Sequence, residues 1–174
     1  MKLLLMRHVM AESMEESGVE YDAMRPISER GRRHCHELAK SLVDLGIEPQ
    51  SAICSPFCRA VETAEEMASI SPFPYTTSSL IAPGAGVDEL LKALANNCDT
   101  CDDWVLAVLH EPDVSYLLGK ILFDGKLPFD LEVLPGNLYA LETEIIDQRV
   151  AANVVVSLSP VRLERSRAKL SYSS

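Results

Sequence analysis

The sequence is short of basic residues and of long apolar runs. It has 16 Lys and Arg against 26 Asp and Glu over 174 residues, which gives a formal net charge of −10. A nucleic-acid-binding surface needs clustered Lys and Arg to neutralise phosphates, so this balance argues against such a partner. The apolar run at 2–6 is too short for a signal segment or a membrane span. We therefore expect a cytoplasmic protein that binds neither membrane nor nucleic acid.

Repeats and low-complexity segments are also missing. With 47% hydrophobic residues, the chain is long enough for one buried core and too short for two ordinary domains. We expect a single domain over residues 1–160. Residues 161–174 are rich in Arg and Lys and have little apolar pattern, which predicts a frayed, solvated C-terminal tail.

Paired cysteine motifs are scarce. The five cysteines are an odd number in a chain with no export signal, which favours reduced thiols. Cys98 and Cys101 have CxxC spacing, but no second CxxC completes a four-ligand zinc site. His34, Cys35 and His36 alternate within a helical segment, where positions i and i+2 do not share a face. We therefore expect neither metal nor cofactor, and a metal bound by the CxxC pair is the alternative.

Strands alternate with helices along the chain. Residues 10–27 are polar and predict a long loop, which in a compact domain is usually functional. Ser28 is a good N-cap for the helix that follows. The apolar patterns predict strands at 2–6, 51–54, 75–79, 104–109, 137–142 and 151–158, and helices at 29–46, 57–70, 87–97 and 113–122. This order predicts an α/β fold, a three-layer αβα sandwich with a mostly parallel central sheet.

Three predicted strands end at residues suited to phosphoryl transfer. Ligands in such folds bind beyond the carboxyl ends of the strands, where Arg7-His8, Arg59 and His110 would meet. Arginine keeps its charge and can bind two phosphate oxygens with its planar fork. Neutral histidine can attack phosphorus through one ring nitrogen while the other N–H is held. His110 could donate a hydrogen bond to the transferring group.

The order of these motifs resembles that of a known family. Arg7-His8, then Arg25-Pro26-Ile27-Ser28 with Gly31, then Ser55-Pro56-Phe57-x-Arg59-Ala60-x-x-Thr63, then His110, is similar to the histidine phosphatase superfamily. Within that superfamily, the short chain and the Arg-Pro-Ile-Ser-x-x-Gly element resemble the SixA-type phosphohistidine phosphatases. The resemblance spans about residues 1–142 and implies a phosphoglycerate mutase-like fold.

The resemblance also implies roles for individual residues. His8 would be transiently phosphorylated, and Arg7, Arg59 and His110 would form the phosphate pocket. Arg25 would be a fourth contact. Two further positions come from the Ser-Pro-Phe motif: Ser55 as a substrate-binding residue beside the pocket, and Thr63 as a helix-packing residue.

Two features depart from the family pattern. Valine stands at position 9, where the motif has glycine, and a β-branched residue resists the positive φ and close phosphate approach that glycine permits. The proton donor to the leaving group is also undetermined, with Glu12, Glu89 and Glu111 as candidates. Glu111, beside His110, is expected to raise the pKa of that histidine and keep it cationic.

The leading hypothesis is a cofactor-independent phosphatase that acts through phosphorylated His8 on phosphohistidine in a protein. One alternative is a phosphomonoesterase with a small phosphorylated substrate. Another is a non-catalytic phosphate-binding protein in which Val9 has disabled transfer.

Overall fold

A computed structural model describes residues 2–96, 102–123, 125, 132–146 and 149–160. Cys98, Cys101 and the predicted tail 161–174 lie outside the described residues. The strands are β1 (Lys2–Arg7), β2 (Pro49–Cys54), β3 (Tyr75–Thr77), β4 (Trp104–Leu109), β5 (Leu138–Ile146) and β6 (Arg149–Leu158). The helices are α1 (Met14–Ser17), α2 (Glu29–Asp44), α3 (Cys58–Ala68), α4 (Val87–Ala95) and α5 (Asp113–Phe123), with 3-10 turns at Asp22–Met24 and Ser79–Ile81.

The strands form one sheet in the order β3-β2-β4-β1-β5-β6. The pairs β2–β3, β2–β4 and β1–β4 are parallel, whereas β5 pairs antiparallel with both β1 and β6. Helices cover the two faces of this sheet, so the predicted three-layer sandwich with a mostly parallel sheet is confirmed. The antiparallel β5–β6 hairpin was also expected, and its strands are longer than predicted.

The sheet separates two apolar layers. Leu4 and Met6 of β1 face the layer that α2 and α3 cover, and Leu3 and Leu5 face the layer that α4 and α5 cover. All four side chains are fully buried, as expected for a strand that is apolar on both faces. Full burial of such a side chain contributes about 1.5–3 kcal/mol, so β1 is fixed firmly in the middle of the fold. Among the described residues, no helix is both long enough and apolar enough to cross a membrane.

The predicted loop 10–27 contains two short elements. Ser13 and Glu16 form a reciprocal capping box around α1, because the Ser13 hydroxyl accepts from the Glu16 N–H and the Glu16 carboxylate accepts from the Ser13 N–H. The 3-10 turn at Asp22–Met24 follows. Neither element contains a buried residue, so neither gives the apolar periodicity by which helices are predicted from a sequence. The local Ser-x-x-Glu pattern was the available signal for α1.

The start of α2 is tied to the segment that follows His8. Ser28 is the N-cap, as predicted, and its hydroxyl accepts from the Gly31 N–H at 3.1 Å. The Ser28 N–H donates to the carbonyl of Met10 at 2.9 Å. A Cβ at position 31 would lie 2.3 Å from that same carbonyl oxygen, so only glycine permits this approach. This contact fixes the chain directly after the end of β1.

Candidate active site

The carboxyl ends of β1, β4 and β2 surround a cavity of about 260 Å³. Arg7 lies opposite Leu109 in the parallel register, and the His8 N–H continues the pairing to the Leu109 carbonyl at 3.0 Å. The rings of His8 and His110 therefore lie side by side, with centroids 5.0 Å apart. The described lining residues are Arg7, His8, Met10, Ala11, Arg25, Arg59, Pro83, His110, Glu111 and Pro135.

His8 is held in one tautomer. Its Nδ1 lies 2.7 Å from the carbonyl oxygen of Val9, which can only accept, so Nδ1 carries the proton. Its Nε2 then accepts from Arg59 Nε at 3.1 Å. Burial lowers the pKa of His8 to about 4; the bond to Val9 acts to raise this pKa, and Arg59, Arg7 and Arg25 act to lower it. At neutral pH His8 is uncharged, and the lone pair of Nε2 lies on the Arg59 side of the ring.

Three arginines reach the cavity. Besides contacting His8, Arg59 donates from Nη1 to the Asp22 carbonyl at 2.8 Å and from Nη2 to the Asp22 carboxylate at 3.0 Å. Arg25 donates from Nε to the other oxygen of the same carboxylate at 2.7 Å. Arg7 donates from Nη1 to the Val133 carbonyl at 2.6 Å, whereas its buried Nε has no partner among the described residues.

His110 is buried and uncharged. Neither ring nitrogen has a hydrogen-bond partner among the described residues, and the Phe57 ring packs against it with a centroid distance of 5.2 Å. Burial lowers the pKa of His110 to about 3, and His8 and Arg59 are the next causes. The expectation that Glu111 keeps His110 cationic is therefore wrong, because desolvation and neighbouring groups of positive charge dominate.

The structure separates the three candidate proton donors. Glu111 lines the cavity, where its Oε1 accepts from the Ser115 hydroxyl and its buried Oε2 has no described partner. Glu12 instead lines a neighbouring cavity of about 290 Å³. Glu89 is exposed in the first turn of α4 and is not among the described lining residues.

Ser55 does not reach the cavity. It is fully buried, and its hydroxyl accepts from the Phe57 N–H at 3.4 Å across the turn that leads into α3. The prediction that it binds substrate is not supported by this position, because the turn directs the hydroxyl at the backbone. Within the described part of the chain, no group of three His, Cys, Asp or Glu side chains is arranged to hold a metal ion.

Val9 packs into the core and is absent from the described cavity lining. Its side chain is fully buried, and its methyl groups lie 3.1 Å and 3.5 Å from the positions that a Cβ would take at Gly31 and Gly136. The two glycines therefore leave the space that the valine fills. The Val9 N–H donates to the Thr63 hydroxyl at 3.2 Å, so Thr63 supports the end of β1 as well as packing in its helix.

Asp22 contacts two of the described arginines that line the cavity, and the sequence interpretation did not single it out. It lies in a segment with no apolar periodicity, and its two arginine partners are three and thirty-seven residues away. The spacing from Asp22 to Arg25 was the one local signal, since oppositely charged residues three apart can pair in a helical turn.

Comparison with known proteins agrees with this geometry. The sequence model of the histidine phosphatase superfamily (branch 1) matches residues 3–82. An uncharacterized protein of Picosynechococcus sp. is 28% identical over 125 residues, which cover 71% of this chain and 74% of that protein.

Two solved structures show the same fold. The protein histidine phosphatase SixA, solved with tungstate, has a TM-score of 0.74 and 24% identity, covering 94% of this chain and 99% of SixA. The α-ribazole phosphatase of Shigella flexneri has a TM-score of 0.62 and 17% identity, covering 88% and 95%. The fold is thus phosphoglycerate mutase-like, as expected. In its sequence over residues 3–82, its fold and the arginine-lined cavity around His8, the chain is similar to the histidine phosphatase superfamily.

Proposed function

We propose that this protein is a phosphatase of the histidine phosphatase superfamily, that it works without a cofactor through a phosphoryl group carried transiently on His8, and that its substrate is phosphohistidine on a protein. The observation that carries the proposal is the state of His8. It is neutral, its tautomer is fixed, and it lines a cavity where Arg7 Nε and both ring nitrogens of His110 have no hydrogen-bond partner in the described part of the chain.

The proposed reaction has two displacements. The Arg59 Nε–H passes from His8 Nε2 to an oxygen of the phosphoryl group, which frees the lone pair of Nε2. That lone pair attacks phosphorus, the bond from phosphorus to the leaving imidazole breaks, and that imidazole takes up a proton. Water then attacks phosphorus, the bond to Nε2 breaks, and inorganic phosphate leaves. Because His8 becomes cationic when phosphorylated, its bond from Nδ1 to the Val9 carbonyl strengthens in the intermediate.

The remaining pocket residues have matching roles. The donors of Arg7 and Arg59 suit the equatorial oxygens of the transferring group, where charge is greatest. Arg25 adds positive charge at the opening of the cavity. His110, which is neutral in the free protein, can donate from one ring nitrogen to the same group. Arg7 is the last residue of β1, Arg59 lies in the first turn of α3, and His110 directly follows β4, so regular elements hold these side chains at the cavity.

The cavity favours a substrate that presents only a small part of itself. Its volume, about 260 Å³, is below the roughly 300–1,000 Å³ typical of small-molecule sites. A phosphoryl group and the edge of an imidazole fit such a space. Tyr21 and Met24, which flank Asp22, are 60% and 54% exposed, and exposed apolar side chains of this kind suit contact with a protein surface.

A small-molecule phosphomonoesterase is the second candidate function, and Glu111 is the observation that favours it. An alkoxide leaving group needs a proton, and the buried Oε2 of Glu111 lies at the cavity with no described partner. Imidazole is a better leaving group and has less need of this help. The α-ribazole phosphatase that shares the fold is named for a small phosphorylated substrate.

The covalent step can be tested by labelling. Incubation of the protein with phosphoramidate or a phosphohistidine peptide should give acid-labile, base-stable phosphate on wild type and none on His8→Ala. His36→Ala is the matched control, because His36 lies on the exposed side of α2 and contacts Glu66 rather than the cavity. Failure of wild type to take label from any donor, or labelling of His8→Ala, would contradict the proposal.

Glu111→Gln separates the two candidate functions. We expect hydrolysis of a phosphohistidine peptide to change little, because its leaving group does not depend on the carboxyl. A loss of about 10²–10⁴-fold in that reaction would be the signature of general acid catalysis and would refute this expectation. The same assay with an alkyl phosphomonoester shows whether the carboxyl serves the second candidate function.

The charge state of His8 can be measured by NMR titration. Its lowered pKa means that the ring stays neutral, and nucleophilic, down to about pH 4, and loses its lone pair only as the pH falls below that value. The His8 resonance, assigned with His8→Asn, should therefore titrate near pH 4. Titration at the ordinary value of about 6.5 would show that burial and the arginines do not control this residue.

Val9→Gly tests whether valine disables transfer. We expect a loss of about 2–4 kcal/mol in the free energy of unfolding, from lost apolar burial and the extra backbone entropy of glycine. The labelling rate of His8 should stay nearly unchanged, because the side chain lies in the core. Val43→Ala, at a position 41% exposed, is the control for stability. A sharp gain in turnover would instead support a natural protein that only binds phosphate.

A further inference from the structure

A single carboxylate joins two of the pocket arginines. Asp22 Oδ1 accepts from Arg25 Nε at 2.7 Å, and Asp22 Oδ2 accepts from Arg59 Nη2 at 3.0 Å. We call Asp22 with its bonds to Arg25 and Arg59 the bridge. Arg25 also donates from Nη1 to the Glu12 carbonyl at 2.9 Å, and Arg59 donates from Nη1 to the Asp22 carbonyl at 2.8 Å, so backbone oxygens hold both arginines as well. Although partial burial acts to raise it, the pKa of Asp22 is held below its usual range by Arg25 and Arg59. The Asp22 carboxylate is therefore ionised at neutral pH.

The bridge determines which nitrogen of Arg59 faces His8. The backbone carbonyl of Asp22 takes Nη1 and its carboxylate takes Nη2, which leaves Nε to donate to His8 Nε2 at 3.1 Å. A guanidinium is planar, so fixing both terminal nitrogens fixes the direction of the third N–H. Without the carboxylate, Arg59 could turn Nη2 toward the cavity and lose its alignment with His8.

The same carboxylate opposes the binding of an anion. Arg25 and Arg59 are like charges that Asp22 holds close together, and it neutralises part of the positive field that they create. Its side chain is 53% exposed and is not among the described lining residues, so it acts on the cavity through Arg25 and Arg59. A phosphate that approaches Arg59 must compete with this carboxylate for Nη2.

We propose that Asp22 is a positioning residue that holds Arg59 beside His8 Nε2, where its Nε–H can pass to the phosphoryl group as Nε2 attacks, at the expense of phosphate affinity. This inference rests on the proposed function, because it assigns Asp22 a part in the transfer to His8. It predicts opposite effects on rate and on binding when the charge is removed. A purely structural residue would instead change both in the same direction.

Asp22→Asn is the test, with two measurements. The amide keeps the size of the side chain but can no longer accept from both arginines. The rate of His8 labelling by phosphoramidate should fall roughly 10- to 100-fold, the range for a misaligned catalytic group. Inorganic phosphate, measured by calorimetry, should bind about fivefold more tightly, as expected when one nearby negative charge is removed.

Two further variants distinguish alignment from charge. Glu20→Gln removes the same charge from an exposed position two residues earlier and should leave the labelling rate unchanged. Asp22→Glu keeps the charge and should restore the phosphate affinity of wild type. Circular dichroism on each variant checks that the fold is intact.

Two results would overturn the role of Asp22. One is an unchanged labelling rate in Asp22→Asn, and the other is phosphate binding no tighter than in wild type. If wild type itself takes no label, the proposed function fails on its own. The phosphate measurement then still decides whether Asp22 opposes anion binding, because it does not depend on turnover.

Discussion

The parallel pairing of β4 with both β1 and β2 is the constraint on which the site depends. Because β4 lies between the other two strands, the carboxyl ends of all three meet at one edge of the sheet. Arg7 is then opposite Leu109, and Cys54 is opposite Val108, so the segments that follow enter the same space. All six residues of β4 are buried. A register shift by one residue would turn its side chains to the opposite faces, so packing on both faces holds the site in place.

Burial lowers the pKa of both kinds of basic side chain at this edge, but only the histidines become neutral at physiological pH. It lowers the pKa of His8 to about 4 and of His110 to about 3, so both rings are neutral at physiological pH. Arginine keeps its proton in the same surroundings because its pKa starts so much higher. One buried environment thus holds neutral imidazoles and permanent cations together. Phosphoryl transfer needs both, the first to attack and the second to hold the oxygens.

The sequence predicted those features that depend on strand ends and local caps. Short apolar runs predicted β1 and β4. The rule that ligands bind beyond the carboxyl ends of parallel strands predicted that Arg7, His8 and His110 would lie close together. Ser28 was likewise recognisable as an N-cap from its neighbours. The helix ends and strand ends differed by a few residues, since such boundaries depend on packing and on caps such as Ser78, whose hydroxyl starts the 3-10 turn after β3.

Other features depend on contacts between distant residues and could not be predicted from local patterns. The space around Val9 is left by Gly31 and Gly136, which are 22 and 127 residues further along the chain. The link between Asp22 and Arg59 crosses from a loop to a helix. The neutral state of His110 follows from burial, which outweighs the carboxylate that stands next to it in the sequence. In each case the neighbour in space, rather than the neighbour in sequence, determines the chemistry.

The backbone N–H of Val9 also bears on how the pocket can hold an anion. The N–H of Val9 already donates to the Thr63 hydroxyl at 3.2 Å, and Thr63 in turn donates to the Arg59 carbonyl at 2.6 Å. This backbone donor is therefore committed to the support of α3 rather than to a phosphate oxygen. Phosphate recognition then falls on side chains, above all the arginines. The balance of charge at such a site includes the carboxylate of Asp22 at Arg25 and Arg59, and those of Glu111 and Glu132 near Arg7.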